Sequence, residues 1–246
     1  GHLTALDFTG RGSGAVHVDS IGYTSDIGEY LTYHVGFNTS GSVLYNTACV
    51  YEGQTMVMSD CGLDKSKLDE EYGTNLGLSV DVGNGLFVAL GYEGEGRTGE
   101  GLLTDEGLDS FGAQVAWIKD SYGVSFSASR NEKNSGTFGA YTQDHPASSE
   151  DRGEIDVRAI NAFIVPSIEY FPTISVGYEL QNDNSVANDV DESTHYFIGF
   201  QIEELGNGTF GAAIGSKAPA TEDENAHQTM WEAYYSYNYA DGITLT

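Results

Sequence analysis

Apolar and polar residues alternate with a period of two over long stretches of the chain. Leu76, Leu78, Val80 and Val82 are separated by Gly77, Ser79 and Asp81. Tyr122, Val124, Phe126 and Ala128 alternate with Gly123, Ser125, Ser127 and Ser129. Ile174, Val176, Tyr178 and Leu180 alternate with Ser175, Gly177 and Glu179, and Trp231 to Tyr239 repeats the pattern with aromatic residues. A period of two sends successive side chains to opposite faces of a β-strand. One face is therefore apolar and often aromatic, and the other is small or polar.

The pattern predicts about twelve strands, near residues 15–24, 30–38, 73–82, 86–93, 110–118, 122–130, 158–170, 174–181, 194–204, 209–216, 229–239 and 243–246. The connections between them alternate in length. Ser25–Glu29, Gly83–Gly85, Lys119–Ser121, Phe171–Thr173, Leu205–Gly208 and Ala240–Gly242 are short. Thr39–Tyr72, Gly94–Asp109, Asn131–Val157, Asn182–Ser193 and Lys217–Gln228 are long. Tight turns at one rim and long loops at the other are the signature of an antiparallel up-and-down transmembrane β-barrel. Gly-Asn-Gly at 83–85, Asn-Gly at 207–208 and Asp-Gly at 241–242 are hairpin chemistry. Tyr170, Phe171, Tyr234, Tyr235, Tyr237 and Tyr239 cluster toward the short-turn end, where aromatic side chains suit a membrane–water boundary. The last strand is too short to span a bilayer, so residues 1–246 are expected to be a barrel domain incomplete at one or both ends.

Composition narrows the function. With 32 Gly and 16 Tyr among 246 residues, the balance favours strands over helices. No apolar run approaches the roughly 18 residues a spanning helix needs, so a membrane location requires a barrel. The net charge of −27, from 10 Lys and Arg against 37 Asp and Glu, excludes nucleic acid as a natural partner and attracts cations.

No motif points to catalysis. Gly94 to Gly99 fits G-x-G-x-x-G, but Glu93, Glu95 and Glu100 surround it and no helix follows, so it reads as a loop. The six His residues (2, 17, 34, 145, 195 and 227) lack metal-ligand spacing. Asn182 to Asn184 with Asp189, Asp191 and Glu192 offers oxygen ligands to calcium, but without the order of a calcium loop. No cofactor is expected, a loop calcium excepted. Cys49 and Cys61 share one long polar segment. Paired, they imply an oxidising compartment and a stabilisation of roughly 3 kcal/mol; the alternatives are free thiols or half of a metal site.

Several segments resemble the cyanobacterial outer-membrane porins of the carbohydrate-selective porin superfamily. The clearest is WEAYYSYNYADGITLT at 231–246, supported by FPTISVGYE at 171–179, DSFGAQVAWIKDSYGVSFSASRNE at 109–132 and LDFTGRGSGAVHVDSIGYT at 6–24. The resemblance implies a barrel of about sixteen strands, commonly a homotrimer in the bacterial outer membrane, passing ions and small solutes. It also implies an S-layer homology domain ahead of the barrel, to which nothing here corresponds.

Parity places Asp81, Glu93, Glu169, Glu179 and Glu232 on the polar face, with Lys217, as candidate pore-lining residues. That orientation keeps charge away from lipid, and the excess of carboxylates predicts a cation-preferring channel. Two competing functions are a structural or adhesive surface protein with acidic, calcium-binding loops, and a secreted β-rich hydrolase. The second has no acid/base pair or nucleophile to support it.

Overall fold

A computed structural model describes residues 1–11, 15–54, 61, 62, 66, 68, 73–94, 103, 109–131, 155–168, 170–183, 192–217, 228–240 and 243–246. For residues 5, 7–11, 15–18, 183, 192, 193, 217, 228, 238–240 and 243–245 it describes the backbone alone. The strands are β1 (His2–Arg11), β2 (Ala15–Ile27), β3 (Leu31–Phe37), β4 (Thr74–Gly83), β5 (Leu86–Gly94), β6 (Asp109–Ile118), β7 (Tyr122–Asn131), β8 (Ile155–Ile164), β9 (Thr173–Asp183), β10 (Glu192–Leu205), β11 (Gly208–Lys217), β12 (Gln228–Ala240) and β13 (Ile243–Leu245). They form one antiparallel up-and-down sheet in strict sequence order. No helix occurs among the described residues.

Two expectations need correction. Among the described residues the sheet has thirteen strands, because β1 precedes the first strand expected. A register shift between Leu3 and Ala5, where Thr4 is the extra residue, breaks the period of two in β1 and hides it in the sequence; a second shift, between Asp7 and Phe8, places its extra residue, Asp19, in β2. The closed barrel is also not formed: β1 and β13 occupy opposite edges and do not pair. An odd number of antiparallel strands leaves both edge strands running the same way, whereas barrels of this type close with an even number.

The sequential order puts the connections at 28–30, 84–85, 119–121, 165–172, 206–207 and 241–242 at one end of the sheet. The long connections leave from the other end, to which the C-terminal end of β1 and the N-terminal end of β2 also belong. Asn84 and Gly85 have φ of 54° and 78°, as a type I′ turn requires and as Asn-Gly readily adopts. At 206–207 the turn is displaced from the expected Asn-Gly pair: Leu205 pairs with Gly208, so Gly206 and Asn207 form the turn.

The two faces differ sharply. Val124 (39% exposed), Phe126 (51%), Ile160 (50%) and Trp231 (78%) stand on the apolar face with their side chains uncovered. Ser125, Ser127, Asn161, Ser175, Glu179 and Gln181 are buried on the polar face. Tyr234, grouped by sequence with the rim aromatics, lies instead on the polar side, 6.0 Å from Tyr51 centroid to centroid. Among rim candidates, Tyr170, Phe171, Tyr235 and Tyr237 are exposed.

Candidate functional site

The polar face is covered by the chain itself. The chain between β3 and β4, through its described residues 38–54, 61, 62, 66, 68 and 73, turns back over the sheet instead of standing beyond its rim. It crosses the strands one after another, and its backbone amides donate to their polar side chains. Thr39 N–H meets Asn75 Oδ1 of β4 at 2.8 Å, and Gly41 N–H meets Glu93 Oε1 of β5 at 2.7 Å. Asn46 N–H donates to Gln114 Oε1 of β6 at 2.6 Å, and Ala48 N–H to Ser125 Oγ of β7 at 2.9 Å. Val50 reaches Ser175 of β9 at 3.2 Å, Glu52 reaches Gln201 of β10 at 3.0 Å, and Gln54 reaches Glu232 of β12 at 3.2 Å.

From Asn46 to Gln54 every second amide points at the sheet, the mark of an extended chain. The eight steps between them span ~26 Å at ~3.3 Å each, and six strand spacings of ~4.8 Å make ~29 Å, so the segment runs nearly perpendicular to the strands. All of these bonds but the last, which is exposed, also satisfy a buried side chain that lipid or a dry core would leave unpaired.

The return limb is held too. Ser66 donates to Glu179 Oε2 through its amide (3.0 Å) and its hydroxyl (2.6 Å). Gln181 Nε2 donates to the other Glu179 oxygen at 2.6 Å. Asn161 Nδ2 of β8 donates to Cys61 O at 3.3 Å. Two residues past Ser66, Leu68 is fully covered and lies over Gly91 and Gly112, where an added Cβ would come within 3.0 and 3.2 Å of its Cδ1. Ser66 at β9 and Leu68 at β5 and β6 are ~7 Å apart along the chain, against ~14–19 Å between those strands in a flat sheet. The strands therefore curl around the segment.

Glycine makes the trough. A Cβ at Gly177 would collide with Cys61 O, and one at Gly199 would lie 2.8 Å from the Tyr51 ring. Cys49 and Cys61 form a disulfide, Cα to Cα 6.1 Å, tying the outgoing limb to the return. The pair was expected in a loop beyond the rim; the disulfide lies on the polar face instead, because Cys61 is wedged against β8 and β9.

The segment adds its own aromatic core. Tyr51 packs on Phe197 at 5.3 Å and on Tyr234 at 6.0 Å, and its hydroxyl donates to Glu232 Oε1 at 2.7 Å. Burial, then the Glu232 carboxylate, pushes the Tyr51 phenol well above its usual range. Burial, then Glu93, does the same for Tyr45. Both phenols stay neutral at physiological pH.

The sequence-derived candidates divide. Glu93, Glu179 and Glu232 are brought to the segment and accept its amides or hydroxyls. Asp81 is exposed near the turn end, where it accepts Gly83 N–H at 2.8 Å. Lys217 ends β11 opposite Gln228, with its side chain outside the described residues. Glu169 lies outside them altogether, as do Asp189 and Asp191 of the acidic loop. No group of three or more His, Cys, Asp or Glu able to hold a metal occurs among the described residues. Sequence reasoning missed the neutral anchors Asn75, Gln114, Ser125, Ser175 and Gln201, which resemble any polar-face residue until the segment is seen on them.

Two clefts open beside the segment. One, of about 520 Å³, is lined by Glu52, Gln201, Glu203, Glu204 and the 206–209 turn region. The other, of about 380 Å³, is lined by residues including Glu29, Tyr45, Ser79 and Asp81. Each holds carboxylates and no Lys or Arg among its lining residues. Compared with known proteins, the chain matches no family model and no curated protein.

Proposed function

We propose that this chain builds a transmembrane β-barrel channel of the outer-membrane porin kind, a passive path for ions and small hydrophilic solutes, with the 38–73 segment as its constriction. One observation carries the reading: the sheet is inside out for a water-soluble protein. Its large apolar side chains stand uncovered across successive strands, while Ser, Asn, Gln and Glu are buried under the crossing segment. Soluble monomers rarely expose apolar patches beyond a few hundred Å², whereas a barrel turns such a face to lipid. Closure would satisfy the β1 and β13 edges, through each other or through further strands. A homotrimer, as the family resemblance implies, would cover part of the apolar face with a neighbouring copy.

The channel is proposed to prefer cations. Glu93 and Glu179 serve mainly to hold the segment, so the field at the path falls to Glu29, Asp81, Glu52, Glu203 and Glu204 around the clefts. The test is a planar-bilayer recording under a potassium chloride gradient. Discrete conductance steps with a reversal potential on the cation side are expected. Absence of conductance contradicts the channel, and an anion-side reversal contradicts the selectivity.

A further inference from the structure

The apolar face carries a charge cluster at its loop-side edge. Arg130 of β7 and Arg158 of β8 are exposed, on the same face as Val124, Phe126, Ile160 and Ile164. Asp156 lies beside them, and Arg130 grips it with Nε at 2.9 Å and Nη2 at 3.1 Å. Arg158 faces Ala128 on one side and Leu180 on the other. No hydrogen bond or ion pair of Arg158 occurs among the described residues. Arg158 thus adds a cation beside the Arg130–Asp156 pair, on a chain whose net charge is −27.

The position is a boundary. Toward the turns, the same face of β7, β8 and β9 carries Phe126, Ile160 and Tyr178; toward the loops it carries Arg130, Asp156 and Asn182. Phe111 pairs with Arg130 from β6, and Tyr196 pairs with Tyr178 from β10. Arginine flanked by aromatics where an apolar face ends matches the headgroup level of a bilayer, where a guanidinium meets oxyanions and rings meet the acyl boundary.

We propose that Arg158, with Arg130 beside it, binds the headgroup oxyanion of an anionic membrane lipid at this edge. The inference rests on the membrane-spanning reading above. The planar guanidinium offers two parallel N–H donors to a tetrahedral oxyanion. Asp156 orients Arg130 beside the exposed Arg158 guanidinium, which meets the oxyanion, and the lipid tails run along Ile160 and its apolar neighbours.

The test uses the full chain in lipid nanodiscs of phosphatidylcholine with a minority of phosphatidylglycerol, followed by native mass spectrometry of lipids retained after extraction. Wild type is expected to retain phosphatidylglycerol in preference to phosphatidylcholine. Arg158→Gln should lower that preference about fivefold, the equivalent of ~1 kcal/mol for one cation at an anionic lipid surface, and Arg158→Lys should lower it less. Equal retention by wild type and Arg158→Gln, both inserted and both shifting on heating in SDS gels, overturns the lipid site alone. A wild-type chain that never enters the nanodiscs overturns the membrane reading and the lipid site together.

Discussion

The two faces of the same strands are built from alternate residues, yet they meet opposite fates. Among the described residues Val124 and Phe126 stand uncovered, whereas Ser125 between them accepts an amide from a segment some 77 positions distant in sequence. A period of two says only that the faces differ. Which one is covered is decided by the 38–73 segment, and it covers the polar face. In water the sheet would leave its apolar side bare; the proposed membrane location would cover it.

The largest effect should come from charging the uncovered face. Val124→Arg is expected to destabilise the vesicle-inserted protein by ~2–4 kcal/mol, read from urea unfolding, if the position lies near the bilayer midplane. An unchanged midpoint would break the contrast between the faces. Removing the staple comes next. Cys49→Ser with Cys61→Ser should cost up to about 3 kcal/mol by loop closure, with faster amide exchange at Ala48, Val50 and Glu52 while strand amides stay protected.

Filling the trough sharpens the comparison further. Gly177→Ala pushes on Cys61 O and should cost ~1–3 kcal/mol as overpacking. The segment should give way before the strands do, so single-channel conductance should rise in a barrel that still shifts on heating. A mere loss of folded protein would place the segment within the sheet's own stability instead. The smallest effect is alkaline. Burial raises the Tyr45 and Tyr51 phenols above their ordinary value of 10.0. Protonated phenols are thus favoured in the folded state, and that contribution is complete below pH 10 and lost as the pH rises past it. Protection of the segment should hold to about pH 10 and fall beyond it; a loss near neutrality would contradict the assignment.

The strands were legible because side-chain parity is written residue by residue. Tyr122, Val124 and Phe126 fall on one face and Ser125 on the other, as the alternation requires. β1 was not legible, since the extra residue Thr4 spoils its period. The crossing segment was invisible for a different reason. Eight of its anchors among the described residues are backbone amides, which every residue but proline carries, and the side chains that receive them are ordinary polar-face residues. Its best trace in the sequence is the row of polar-face glycines, Gly91, Gly112, Gly177 and Gly199, that leave it room.

The most direct test of which face meets lipid uses the two tryptophans the chain possesses, Trp117 and Trp231. Both stand on the apolar face, 42% and 78% exposed, and Trp117 Nε1 donates to Asn84 O at the turn end. Their fluorescence can be measured with the chain refolded into vesicles, once with acyl chains brominated at successive depths and once with iodide in the water. Strong quenching by the brominated lipids and weak quenching by iodide is the predicted result. Efficient quenching by iodide with none from the acyl chains would contradict the account.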